Sequence, residues 1–278
     1  MSGTMIKRML RSPWDALPVA TRSRLIGLRR SLRGPRQSGG DAGTEADRFR
    51  AGIPSLPGLL ENIRKQGFSP SAILDIGANV GEWSRTASSF FSSSRILMFD
   101  GDPENEPALH NAVREIGKHS EYNIVLLGSA KKEAVTLYRP DAGTTGSSVL
   151  CELTSFDKEA ITLSMDTLDS ATEAAALKCP LLMKLDVQGF ELEVLKGGRR
   201  ALGLSEVVIM EVSLIPYNDG APLFSEVIAF MNGEGFVAFD FCGQIRRESD
   251  HALFQTDVVF VRQESSLRAP QRFWKNEP

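Results

Sequence analysis

Residues 71–84 read SAILDIGANVGEWS: an apolar run with one acid near its end, then a glycine-rich turn, then a polar stretch that opens a helix. A short continuous apolar run closed by glycine predicts a fully buried strand. The same alternation continues outward in both directions. Residues 57–67 predict an entry helix, RILMFD (95–100) a second strand, and Asp102 with Pro103 the start of a further helix, since aspartate caps well and proline is tolerated in a first turn. NIVLLGS (123–129) predicts the third strand, followed by an extended stretch AVTLYRP (134–140). PLLMKLD (180–186) and EVVIMEVS (206–213) are strands four and five, residues 222–233 a helix, and GFVAFDF (235–241) and ALFQTDVVFVR (252–262) two terminal strands. Strands alternating with helices imply βαβ units, hence an α/β Rossmann-like fold with a mostly parallel seven-stranded sheet and helices on both faces. The last two strands lack an intervening helix and predict an antiparallel pair, with an antiparallel strand at one edge.

The whole chain has 278 residues, room for one large domain with extensions. Its 42% apolar and 24% charged content is ordinary globular usage and excludes collagen-like or disulfide-framework classes. Cys151, Cys179 and Cys242 show neither a CxxC pair nor a nearby histidine, so no zinc site is predicted and a cytoplasmic, reducing location is expected. No apolar run reaches the ~18 residues of a membrane span. Charge is uneven. Residues 1–50 carry 11 Lys or Arg against 4 Asp or Glu, while the remainder carries 21 against 31. The chain therefore reads as a basic extension and linker (1–54), an acidic globular body (55–264) and a tail (265–278). Leu25, Leu28 and Leu32 recur at helical spacing among arginines, a pattern suited to weak contact with an anionic membrane surface, although a solvated leader is the simpler reading. Residues 34–43, GPRQSGGDAG, read as linker. The acidic body offers no surface for nucleic acid. No feature sets an oligomeric state.

Open parallel sheets bind ligands outside the carboxyl ends of their strands. There the first strand places Asp75, Gly77, Asn79 and Gly81. Glycines permit a tight turn and a close approach, so a nucleotide-like ligand is expected. The pattern is GxNxG with an acid two residues ahead, whereas a dinucleotide fingerprint reads GxGxxG. A carboxylate at that point repels a pyrophosphate and favours a cation. S-Adenosyl-L-methionine, with a sulfonium, an ammonium and no phosphate, is the expected cofactor. Asp100 ends the second strand 19 residues beyond Gly81, placed to accept hydrogen bonds from ribose hydroxyls. Leu127, Gly128 and Ser129 are expected to flank the adenine, Ser129 being the candidate contact.

DIGANVGEWS, FDGDPEN, GSAKKEAVTLY, GSSVL, MDTLDS and KLDVQGFELEVLKGG together resemble the FkbM-type S-adenosylmethionine-dependent methyltransferases over roughly residues 70–215. The resemblance implies the class I methyltransferase fold and O-methylation of a hydroxyl on a sugar, glycan or secondary metabolite. It gives the methionine part of the cofactor to Asp75, Gly77, Asn79 and Gly81, and the ribose to Asp100. Gly101 and Gln188 depart from the family, which often has proline and glutamate there.

Within KLDVQGFELEVLKGG, Asp186 lies at the end of strand four. Methyl transfer to an alcohol requires the oxygen to lose its proton, and Asp186 is the best-placed base. Lys184 shares its face two residues earlier, and Glu211 adds an acid on the neighbouring strand end. Glu191 reads equally as a helix-start acid. His110, His119 and His251 read as surface residues, with His251 a lesser site candidate because its loop can approach the active-site rim. Residues 143–150, GTTGSSVL, suggest a lid through Ser147 and Ser148. A nicotinamide-dependent dehydrogenase shares the alternating pattern but needs a third glycine, and a non-catalytic protein of the same fold would have no use for Asp75, Asp100 and Asp186.

Overall fold

The computed structural model describes residues 54–140 and 146–269. The leucine-arginine stretch, the linker and residues 143–145 of the lid segment lie outside the described residues. Ser55 caps the first helix, α1 (Leu56–Lys65), by accepting from Gly58 N at 3.4 Å, and the helix buries Leu59, Leu60 and Ile63. There follow β1 (Ala72–Ile76), α2 (Glu82–Phe90) and β2 (Arg95–Asp100). Asp102 then caps a 3₁₀ turn that leads into α3 (Glu106–Ile116), with β3 (Ser120–Ile124) and β4 (Leu126–Leu127) beyond it. Next come β5 (Lys132–Pro140), β6 (Lys158–Asp166), α4 (Leu168–Ala171) and β7 (Leu181–Leu185). The chain continues through α5 (Glu191–Lys196), α6 (Arg199–Leu204), β8 (Ser205–Ser213), α7 (Phe224–Gly233), β9 (Phe236–Arg246) and β10 (Leu253–Arg262).

The main sheet has seven strands in the order β3-β2-β1-β7-β8-β10-β9. β1 pairs in parallel with both β2 and β7, so strand order reverses at β1, where such sheets open a crevice. The terminal pair is antiparallel, and within it the inner strand β10 runs against the sheet while β9 forms the edge. Side chains alternate between two apolar layers. Leu74, Ile76, Met183, Leu185, Val208 and Met210 join one, which includes Val194 and Leu195 of α5 and Val227 and Met231 of α7. Ile73, Met98, Leu182, Ile209 and Val259 join the other, with Leu59, Leu60, Ala87 and Leu109 of α1 to α3. Leu267, in a 3₁₀ turn after β10, also enters this second layer.

The third strand differs from expectation. β3 begins at Ser120, and the apolar run that follows is not one strand. Val125 N donates to Asp100 O at 2.8 Å, and the chain then leaves the main sheet. Leu126 and Leu127 pair instead with Met165 and Asp166 of β6. The extended stretch at 134–140 is antiparallel to β6, completing a second, three-stranded sheet β4-β6-β5 that the sequence reading omits.

Candidate active site

Gly77 follows β1 with φ +79°, a region L side chains rarely adopt. A Cβ there would stand 1.9 Å from Asp186 O, so the tips of β1 and β7 touch through a position only glycine fits. Asp186 N donates to Ile76 O at 2.9 Å, extending the strand pairing to this point. The loop is held from the other side by Asp100. Its carboxylate accepts from Asn79 N at 2.7 Å, Asp102 N at 2.8 Å and Asn105 Nδ2 at 3.0 Å. Burial raises its pKa, although those three donors oppose the shift. Asp75, wholly buried, accepts from the Ser84 hydroxyl at 2.6 Å. Its Oδ1 has no partner among the described residues. Burial lifts its pKa to about 6, against the Lys184 charge and the Ser84 bond. Asp75, Gly77, Asn79, Gly81 and Asp100 are therefore gathered in one loop-and-strand-end unit.

Ser129 is not part of it. It follows β4 in the second sheet, its side chain hydrogen-bonds Glu193, and its Cα lies 3.2 Å from the Cβ position of Gly197. The reading that put Ser129 at the end of the third main-sheet strand fails on register, because that strand ends at Ile124.

Beyond the loop, period-two alternation turns the α1–α3 side of the sheet polar at its carboxyl end. Asp75 is in register with Lys184, and Glu211 with Asp257, which in turn faces Cys242. Lys184 Nζ donates to Asp186 Oδ2 at 2.7 Å. Lys184 is only 6% exposed. Burial works to lower its pKa, but the charges of Asp186, Asp75 and Asp257 outweigh it and leave it raised. A buried cation persists when surrounded by carboxylates in this way. Gln188, with φ +56°, bridges Asp186 Oδ1 at 2.6 Å and Glu211 Oε2 at 2.9 Å through Nε2. Gln255 Nε2 donates to the same Glu211 oxygen at 3.0 Å. Burial first, then the charges of Asp186 and Asp257, hold Glu211 well above the usual carboxylate range. Burial lifts Asp257 to about 6. The Cys242 thiol is pushed up by the same cause.

Asn218 Nδ2 donates to Gln188 O at 2.8 Å, and Asp257, Gln255 and Asn218 all escaped the sequence reading. Asp257 carried a signal, an acid interrupting an apolar strand, but its place opposite Glu211 depends on antiparallel register. Gln255 and Asn218 belong to no motif. Glu191, weighed as catalytic or structural, is buried and caps the turn, accepting from Val187 N at 3.0 Å and Gly189 N at 3.1 Å. Ser147 and Ser148 are clasped. Ser147 donates to Asp102 Oδ2 at 2.8 Å, and Arg139 pairs with the same carboxylate at 2.6 Å. Ser148 donates to Gln188 O at 2.9 Å. His110, His119 and His251 are exposed. Among the described residues, no helix is long and apolar enough to cross a membrane.

The Methyltransferase FkbM domain family matches residues 75–238. No curated protein matches the chain. Among solved structures, the methyltransferase FkbM from Methylobacillus flagellatus KT is similar at 17% identity and a TM-score of 0.43, over 69% of this chain and 44% of that one. This chain thus spans less than half the length of that relative. Magnesium protoporphyrin IX methyltransferase (ChlM) from Synechocystis PCC 6803, solved with bound SAM, is similar at 12% identity and a TM-score of 0.42, over 89% of this chain and 98% of that one.

Proposed function

The chain belongs to the methyltransferase FkbM domain family, and on that premise we propose that it transfers the methyl group of S-adenosyl-L-methionine to a hydroxyl of a sugar, glycan or secondary metabolite. The observation that carries this reading is the contact of the β1 loop with Asp186, which sets a carboxylate beside the crevice loop and pairs it with Lys184. The loop's own chemistry fits the cofactor. Its strand-end acids are Asp75, with one oxygen buried and unpartnered among the described residues, and Asp100. Two carboxylates suit a cationic, phosphate-free ligand better than a pyrophosphate, which favours this reading over a nicotinamide cofactor.

When bound, S-adenosylmethionine supplies a methyl group on a positively charged sulfur. Asp75, Gly77, Asn79, Gly81 and Asp100 would hold it, and Asp186 would take the proton released by the acceptor hydroxyl. Lys184 and Gln188 fix the carboxylate by occupying one oxygen each. Asp100 holds Asn79 and offers remaining acceptor capacity to ribose hydroxyls. The free thiols Cys151, Cys179 and Cys242 suit a cytoplasmic location.

The reading is tested by thermal shift with S-adenosylhomocysteine, NAD and NADP, since a ligand of the folded state raises its stability by mass action. We expect a shift with the first alone, abolished by Asp100→Ala. A shift with NAD or NADP and none with S-adenosylhomocysteine would overturn it. Transfer of labelled methyl to a panel of small glycans and metabolites then identifies the acceptor.

A further inference from the structure

Asp102 stands two residues beyond the strand-end acid Asp100, and its carboxylate is fully taken up by the protein. Oδ1 accepts from Glu104 N at 3.0 Å and Arg139 Nη2 at 2.6 Å, and Oδ2 accepts from the Ser147 hydroxyl at 2.8 Å. Arg139 Nε donates to both oxygens at 3.0 Å. A carboxylate has about four acceptor positions, so Asp102 has none left for a ligand. Asp100 differs. Its Oδ1 takes Asp102 N and Asn105 Nδ2, but its Oδ2 takes Asn79 N alone, which leaves Oδ2 able to accept a hydroxyl.

Arg139 and Ser147 reach Asp102 together for a topological reason. Tyr138 N donates to Ser148 O at 2.8 Å and Ser148 N to Tyr138 O at 3.0 Å, an antiparallel bridge. One step along it Arg139 stands opposite Ser147, and strand alternation turns both side chains to one face. Arg139 belongs to β5 of the second sheet, whereas Asp102 lies just past β2 of the main one, so their pair ties the two sheets together at the end of β2. It is a buried fork, the two side chains being 15% and 8% exposed. What the fork fixes is the Asp102 backbone, and the Asp102 N–H is itself a donor to Asp100 Oδ1 at 2.8 Å. Ser148, the next residue, donates to Gln188 O at 2.9 Å and anchors the same short segment to the turn beyond β7.

We propose that Arg139 and Ser147 are positioning residues for the cofactor: through Asp102 they hold the Asp100 carboxylate so that Oδ2 meets a ribose hydroxyl. This deepens the methyltransferase reading and rests on it. A carboxylate aims a hydrogen bond only as well as its own partners fix it. Slackening Asp102 therefore costs the ribose contact and spares the rest of the ligand, whereas a pair that only joined the sheets would affect every part of the ligand alike.

The test is calorimetric titration of the full chain with S-adenosylhomocysteine and with its 2′,3′-dideoxy counterpart, which lacks both ribose hydroxyls. Wild type should bind the dideoxy ligand about tenfold more weakly, the worth of a hydrogen bond to a charged group. Ser147→Ala should weaken S-adenosylhomocysteine by roughly fivefold to tenfold and the dideoxy ligand by less than about twofold. Ser147→Thr, which keeps the hydroxyl, should bind as wild type does. Arg139→Lys keeps the charge but loses the fork and should show the Ser147→Ala pattern, which provides a second route where the alanine variant fails to fold. Equal weakening of both ligands by Ser147→Ala and Arg139→Lys, or weakening of neither, would overturn the positioning role. So would a wild-type affinity indifferent to the ribose hydroxyls, a comparison that needs no variant. In each of those cases S-adenosylhomocysteine still binds the wild type and the methyltransferase reading stands. No binding of S-adenosylhomocysteine to wild type would overturn that reading, and this inference with it.

Discussion

Lys184 Nζ and Asp186 Oδ2 are 2.7 Å apart, two residues from each other along the chain at the end of β7. The strand's period of two puts them on one face, so a single element supplies both the proposed base and the cation that holds it. Asp186→Asn keeps the shape and removes proton acceptance. We expect kcat to fall by roughly 10²–10⁴-fold, the contribution of a positioned general base, with S-adenosylhomocysteine affinity retained. Lys184→Met acts differently, because it leaves Asp75, Asp186 and Asp257 without their counter-charge. It should destabilise the fold by about 3–5 kcal/mol, read by denaturant unfolding.

Gly77→Ala forces a Cβ to within 1.9 Å of the Asp186 carbonyl oxygen on a backbone with φ +79°. Loss of more than about 4 kcal/mol, or failure to fold, is expected, since neither strand tip can give way without breaking its pairing. Gly67→Ala is the control. It has a similarly positive φ of +92° but nothing within 4 Å, and should cost only about 1–2 kcal/mol. Denaturation midpoints of the two variants separate crowding from backbone strain.

Gln188→Glu would restore the residue common in the family at this position. Here it would place a third carboxylate between Asp186 and Glu211, where the amide now donates to both. Like charge raises the pKa of the base. The acid limb of the kcat–pH profile should therefore move to higher pH, and an unmoved limb would show that Asp186 is not the group titrating.

Burial lifts the Glu191 pKa to about 7 from an ordinary 4.5. A carboxyl raised on folding contributes its stability fully below the unfolded value and loses it as pH rises through the folded one. Asp75 and Asp257, both about 6, have the same sign. The melting temperature should thus fall between pH 5 and pH 8, with Glu191 alone accounting for up to about 3 kcal/mol. Glu191→Gln should flatten that slope, measured by thermal melts across the range.

The strands β1, β2, β7 and β8 were legible because each is a mostly apolar run that is nearly all buried. β3 was misplaced for the converse reason. Its residues, SEYNI, alternate polar and apolar at the sheet edge, while the more apolar run after it serves the bend into the second sheet. β6 was missed because all but one of its residues are half-buried or exposed. Asp75, Asp100 and Asp186 were legible as acids ending apolar strands. Asp257, Gln255 and Asn218 were not, because their neighbours come from distant elements: Asp257 meets Glu211 across 46 positions of sequence, through register alone.

The position of β10 has a consequence for synthesis. It is the last strand among the described residues, yet it is inserted between β8 and β9. A nascent chain emerging from the ribosome can assemble the cofactor loop from β1, β2 and β7 while the gap beside β8 is still open. Gln255 and Asp257 arrive only with the final strand, so the surroundings of Glu211 are completed after β1, β2 and β7 have formed.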